Sequence, residues 1–341
     1  ISTKKGTVGA PKITYDGSYG VQRVTRKIKM MDAYEFVRLQ QEIDPVGVAS
    51  ATGYLGTYDG KTYTLDDYRN VKQFDWQDMI LQDAPQQNHS ISLTGGTADV
   101  RYNASLSYYD QDGIVIKSNY NRIQGRMGLN LRQKKLNVNL STNYSIITRL
   151  GNSPSQRQSS GMTNLFYSVW GYRPVTAPGV DINSLVDNAV DPDINVLNDY
   201  RFNPVLSLNN EYRKYASTNN QFNGFFEYEF IKGLKLKVSG GYTVDVTRNE
   251  VFNNSKTRYG SPSSNNQVNA MFATSQRKIW LNENILTYQK MINKVHSLNG
   301  LIGMTMQSSI VDSYSMQTNK IPNESLGMAG MSQGTAQPVG S

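Results

Sequence analysis

"LTGGTADVRYNASLSYYDQDG", residues 93–113, decides the fold. Beyond the glycine pair Gly95-Gly96, which reads as a hinge, Val100, Tyr102, Ala104, Leu106 and Tyr108 fall on one side of an extended chain. Arg101, Asn103, Ser105, Ser107 and Tyr109 fall on the other. Side chains alternate in this way only along a β-strand, here one with an apolar and a polar face. A strand of a sandwich needs about five or six residues of such a pattern. One that crosses a bilayer at a tilt needs about nine to eleven.

The pattern recurs. Ile13, Tyr15, Tyr19 and Val21 alternate with Thr14, Asp16, Ser18 and Gly20, and Ile123, Met127, Leu129 and Leu131 with Gln124, Arg126 and Asn130. Leu136, Val138, Leu140, Tyr144 and Ile146 alternate with Asn137, Asn139, Ser141 and Asn143. Phe222, Phe226, Tyr228 and Phe230 follow, with Phe225 breaking the polar face, then Leu234, Leu236, Val238, Tyr242 and Val244. Residues 268–292 are long but ambiguous in phase, because Trp280 and Leu281 are both apolar. Leu298, Ile302, Met304 and Met306 close the series, for about nine strands.

The connections sort by length. Gly95-Gly96, Gln133-Lys134-Lys135, Lys232-Gly233 and Asn293-Lys294 read as tight turns. Between them stand longer links at about 25–88, 112–121, 149–217 and 250–266. Short and long links alternate strictly, as in an outer-membrane barrel with short periplasmic turns and long extracellular loops. Apolar residues Val100, Tyr102, Leu106, Val138, Leu140, Phe226 and Leu236 should then face lipid, and Arg101, Asn103, Asn139 and Lys235 the lumen.

Bulk composition agrees. Among 341 residues 38% are hydrophobic, the mean hydropathy is −0.53, and no run approaches the roughly eighteen apolar residues of a spanning helix. Barrel strands escape that test, because lumen-facing residues dilute the signal. Tyrosine is abundant, 22 residues, as expected where aromatic rings sit at membrane interfaces. Without cysteine there are no disulfides, thiolate metal sites or cysteine nucleophiles. The net charge of +8 is scattered, with one modest cluster at Arg23, Arg26, Lys27 and Lys29, and no groove-reading element stands beside it to suggest nucleic acid. The opening "ISTKKGTVGAPK" has no apolar signal core and Ile1 is not a start residue, so a longer or processed protein is expected.

The long links carry helical signals. Asp32 and Glu35 form a capping-box pair before Phe36, Leu39 and Ile43, a stripe ending at Asp44-Pro45. Met162, Leu165, Phe166, Val169 and Trp170 make a second stripe ending at Gly171 and Pro174.

Several stretches together resemble one family. "ISTKKGTVGAPKITYDGSYGVQ" looks like the junction between plug and first barrel strand of SusC/RagA-like TonB-dependent transporters. "DWQDMILQDAPQQNHSISLTGGTADVRYNASLSYYDQDGIVIKSNYNRIQGRMGLNL" is similar to that family's most recognisable barrel stretch. "NPVLSLNNEYRK", "YEFIKGLKLKVSGGY" and "WLNENILTY" continue the likeness in order. The resemblance implies an all-β, antiparallel transmembrane barrel of about twenty-two strands, filled by a plug and lidded by a SusD-like surface lipoprotein. It implies import of oligosaccharides or peptides across the outer membrane, driven by TonB. On that reading residues 1–9 are the end of the plug and its linker, and 10–341 the N-terminal part of the barrel. The TonB box and most of the plug fall outside these residues. Nine strands would leave Ile13–Val21 and Leu298–Ile310 as open edges, so further protein is expected to pair them.

Chemistry-bearing motifs are sparse. His89 and His296 are far apart, each without a serine partner, and no Gly-x-Ser-x-Gly elbow or phosphate-cradling loop is present. No enzyme, metal or cofactor is expected, and a barrel hydrolase ranks below a non-transporting adhesin or scaffold as the rival to import. Asp191, Asp193 and Asn195 alternate as in a calcium loop, but Val196 and Phe202 stand where that loop needs glycine and glutamate. The aromatic cluster Phe166, Tyr167, Trp170 and Tyr172 is the candidate for substrate contact, by stacking on sugar rings, although such helical spacing more often marks the packed face of a loop helix. The basic cluster Arg23 to Lys29 fits a solvated loop better than a site for lipid phosphates.

Overall fold

The computed structural model describes residues 6–151, 165–187, 202–293 and 295–337. Nine long strands form one antiparallel sheet in chain order: β1 (Gly9–Gln22), β2 (Ala84–Gly96), β3 (Val100–Asp112), β4 (Asn119–Gln133), β5 (Leu136–Leu150), β6 (Glu211–Ile231), β7 (Leu234–Asn253), β8 (Asn269–Ile292) and β9 (His296–Asn319). A short β10 (Thr335–Gln337) pairs with the far end of β9. The fold is an all-β, up-and-down portion of a barrel, as the alternation predicts. Turns at 97–99, 134–135, 232–233 and 293–295 alternate with links at 23–83, 113–118, 151–210 and 254–268.

Register carries the two faces across the sheet. Tyr102, Leu129, Leu140, Gly224 and Gly240 stand in one cross-strand row, and Val100, Leu131, Val138, Phe226 and Val238 in another. The neighbouring row on the opposite face is Asn103, Gly128, Ser141, Asn223 and Gly241. Val100, Tyr102, Leu106, Val138, Leu140, Phe226 and Leu236 therefore share the apolar face, and Arg101, Asn103, Asn139 and Lys235 the polar one. On β5 the apolar series runs from Leu136 to Ile146, about the nine to eleven residues of a tilted crossing. Among the described residues no layer covers the sheet's apolar side, and Leu106, Met127, Leu140 and Phe222 are all more than half exposed.

Three local readings change. Gly95 and Gly96 belong to β2, and the turn lies at 97–99, closed by hydrogen bonds between Thr97 and Val100. Gly96 has φ +145° and an added Cβ would strike the Val100 carbonyl, so the glycine lets the chain enter the turn rather than forming it. The links at 151–210 and 254–268 are shorter than expected because β6 and β7 run 21 and 20 residues. Their outer ends, such as Glu211–Gln221, are polar on both faces and so show no alternation, yet they pair through the backbone. The phase of β8 is now fixed: Trp280 joins Tyr242 on the apolar face, while Leu281 joins Gly241 on the polar face. Asn282 and Asn284 then fall on the apolar side, where Asn284 donates to Asn282 Oδ1 (2.6 Å) and Asn282 to the Ser239 carbonyl (3.2 Å). Phe225, the odd aromatic on the polar face, lies under the Lys237 ammonium at 4.5 Å.

The two faces predict opposite responses to the same new charge. In the intact polypeptide refolded into lipid vesicles, Leu140→Arg should cost about 2–4 kcal/mol and Asn139→Arg close to nothing, read from urea midpoints. Equal costs would remove the assignment of faces.

Candidate functional site

The long links fold together at one end of the sheet. Helix α1 (Ala33–Ile43) starts at the predicted capping box: Asp32 Oδ1 accepts from Glu35 N at 2.7 Å and Glu35 Oε2 from Asp32 N at 3.2 Å. Its buried residues are Ala33 and Val37, which pack with Tyr68 and Val175. Phe36, Leu39 and Ile43, the stripe read from the sequence, instead turn their faces to a groove. Tyr68 donates to the Tyr54 carbonyl (2.7 Å), and burial raises its hydroxyl pKa above the ordinary value. Nearby, hydrogen bonds from Lys61 and Thr64 hold the Asp67 carboxyl down to about 2.

A second core joins three links. Helix α2 (Trp76–Ile80), capped by Asp75, contributes Trp76 and Ile80; helix α3 (Leu165–Gly171) contributes Leu165 and Val169; helix α4 (Pro204–Asn210) contributes Leu208; Val115, Tyr172 and Leu185 complete it. Backbone bonds stitch the links: Phe74 N to the Pro174 carbonyl, Ile116 N to that of Ile80, and Gln82 N to that of Ile114. Trp76 Nε1 donates to the Arg173 carbonyl at 3.1 Å. Buried Asn203 caps α4 through Leu206 N and donates to the Leu185 carbonyl. Such satisfied polar groups let the links stay folded.

Between these cores lies a groove of about 380 Å³. Met30, Met31, Phe36, Leu39 and Ile43 form one wall, and Phe74, Trp170, Tyr172 and Pro174 the other. The four aromatic candidates divide here. Tyr172 is 3% exposed and stands edge-on to Trp76 at 5.0 Å, so it belongs mainly to the core. Trp170 is 38% exposed, stacked on Phe166 at 5.3 Å and flanked by Tyr167 at 6.5 Å. Trp170 and Tyr172 line the groove; Phe166 and Tyr167 lie outside its lining and support Trp170. The methionines and the α1 stripe complete the groove from a distant part of the sequence, so no local motif joins them to Trp170.

Other candidates have plain settings. Arg23 pairs with Asp83 (3.0 Å), Lys27 with Asp78, and Lys29 with Glu35 (3.6 Å), so most of the basic cluster faces carboxylates of its own link. His89 sits within β2, on the apolar side, bonded to the Tyr15 hydroxyl at 2.7 Å; His296 begins β9. Among the described residues no three His, Asp or Glu side chains converge on a metal position. Met162, Asp191, Asp193, Asn195 and Val196 lie outside the described residues.

No family model matches the chain. It is 26% identical over 315 residues to TonB-dependent receptor P3 of Formosa agariphila, covering 90% of this chain and 28% of that protein. It is 28% identical over 272 residues to receptor P26 of the same organism, covering 76% of this chain and 24% of the relative. A shorter match, 130 residues at 28% identity, covers 38% of this chain and 11% of TonB-dependent receptor SusC of Bacteroides thetaiotaomicron. The homologues of this chain are TonB-dependent receptors. The chain spans about a quarter of the length of the receptors P3 and P26. Its fold matches the solved structure of the RagAB peptide transporter with a TM-score of 0.68 and 22% identity, over 98% of this chain and 38% of that one. The same fold recurs in the open-open state of the RagAB peptide importer, with a TM-score of 0.69.

The loop core and the groove should separate by mutation. Trp76→Ala should cost about 3–5 kcal/mol of local stability and expose links 23–83 and 165–187 to protease in the intact polypeptide. Trp170→Ala, on an open ring, should leave the protease pattern unchanged. Cleavage that rises equally in both would place Trp170 in the core.

Proposed function

We propose that these residues form part of the wall and the surface loops of an outer-membrane importer of oligosaccharides or peptides, energised through TonB and served by a SusD-like surface lipoprotein. Residues 1–9 would end a plug, and 10–341 would begin the barrel. The observation that carries this reading is the sheet itself. It is an antiparallel meander with one apolar and one polar face, short turns at one end and folded links at the other, and the homologues along nine-tenths of its length are TonB-dependent receptors. In a bilayer the apolar face takes the lipid and the polar face the water-filled lumen. The apolar-side asparagines Asn282 and Asn284 meet the cost of that placement through their own hydrogen bonds.

Open edges fit the same reading. Among the described residues β1 pairs only with β2, and β9 only with β8 and the three residues of β10. Unpaired backbone groups in hydrocarbon cost several kcal/mol each, so further strands complete the wall. The groove at Trp170 lies among the long links, where a ligand arriving from outside would first meet the protein, and its aromatic and thioether lining suits a sugar ring or an apolar side chain.

Two arms test the proposal in cells carrying the full-length receptor. Accumulation of members of a fluorescent oligosaccharide and peptide panel should require both the receptor and functional TonB. Replacing 165–187 by a short Gly-Ser segment should abolish that accumulation while heat-modifiable barrel still reaches the outer membrane. Accumulation that ignores TonB removes the energised mechanism, and accumulation that ignores the replacement removes the loops from recognition.

A further inference from the structure

The polar face carries charge in an uneven way. Arg122 on β4 and Arg149 on β5 stand on it near the strand ends that meet links 113–118 and 151–210, and Arg126 stands on it midway along β4. None of the three touches a carboxylate among the described residues. Arg149 lies level with Tyr120 and Tyr215 across the sheet, its guanidinium 5.7 and 5.3 Å from their ring centroids. Arg122 faces Tyr109 at 5.9 Å, and its Nε is buried without an acceptor. Among the described residues Arg126 reaches the Asn143 amide oxygen, at 3.3 Å.

The acids of this face are placed elsewhere. Asp16 and Asp245 stand in the row between Arg122 and Arg126, each three strands from β4, about 14 Å at the usual strand spacing. Glu211, on the strand next to Arg149, is engaged by Arg213 at 3.2 Å. A guanidinium resting on tyrosine rings keeps its charge and its fork of donors available for a planar oxyanion. Two such groups, with Arg126 further down the wall, form a positive strip between low-dielectric surfaces, where an anion's local concentration rises.

We infer that the Arg122, Arg126 and Arg149 strip with its tyrosines is an anion-selecting stretch of the channel wall, for substrates that carry carboxylate or sulfate groups. The inference rests on the import reading and narrows its substrate class. The tyrosine rings beside Arg122 and Arg149 add stacking surface for the sugar or peptide body that bears the charge.

Binding to the purified full-length receptor in detergent tests it by titration calorimetry at low and at about 0.5 M salt. The probes are hexagalacturonate, a sulfated galactose hexamer and hexaglutamate, each beside a neutral counterpart of equal length; the three separate carboxylate from sulfate and sugar from peptide. At least one anionic probe should bind about tenfold tighter than its neutral counterpart, an advantage that shrinks at high salt. The Arg122→Gln/Arg149→Gln double variant should lose that advantage. Arg101→Gln, on the same face at the opposite end of β3, should keep it, and heat-modifiable migration confirms folding of both. Failure of every anionic probe to bind, equal binding of charged and neutral probes, or an undiminished preference in the double variant overturns the assignment. TonB-dependent uptake by a receptor indifferent to charge would leave import standing and remove this inference alone.

Discussion

Backbone pairing places every side chain of the sheet. From Gly9 to Asn319 the antiparallel ladder passes through nine strands with register shifts only at Gly9/Lys12 and Glu229/Ile231, so the parity of a residue number along each strand fixes its face. One residue of slip would send a whole apolar set to the polar side. The turns defend that register: Gly233, at φ +89°, lets β6 return into β7 where an added Cβ would strike the Gln289 carbonyl. The same ladder explains why the sheet cannot stop at β1 and β9 in a bilayer, since their outer N–H and C=O groups would meet hydrocarbon.

Much of this was legible in the sequence because a period of two needs no tertiary information. The apolar series through Val100, Val138 and Phe226 could be read before any pairing was known, and so could the order of short and long links. The phase of β8 could not. Trp280 and Leu281 are equally apolar, and only pairing with Tyr242 and Gly241 separates them. The polar outer end of β6 was hidden for the opposite reason, as neither face there is apolar. The helices were visible through Asp32 and Glu35, yet their packing was not: Val37 rather than Phe36 is buried, because partners such as Tyr68 and Val175 come from distant chain.

The candidate site follows the same division. An aromatic cluster at 166–172 was legible, but helical spacing does not tell which ring is packed. The structure sets Tyr172 against Trp76 and leaves Trp170 open beside Met30, Met31 and Ile43. The arginine strip was within reach of the sequence, since Arg122 and Arg126 are an even number of residues apart on one strand. It escapes a search for charge runs along the chain, because the charges gather across a face and not along it. Wall and loops thus divide by residue type: the ladder presents one apolar and one polar face, and the linked helices pack on their own cores at one end of it.

The central claim is that this sheet has lipid on one side and water on the other. The 341 residues contain no cysteine, so single cysteines placed in turn from 136 to 146 on β5 of the membrane-inserted polypeptide, with any cysteine outside these residues replaced, can each carry a nitroxide label. Collision rates with oxygen and with a water-soluble nickel chelate then report each side chain's surroundings. The account predicts a period of two, with Leu136, Val138, Leu140, Tyr144 and Ile146 positions favouring oxygen and Asn137, Asn139, Ser141 and Asn143 positions favouring the chelate. Rates without that period, or with both sets equally open to the chelate, would contradict it.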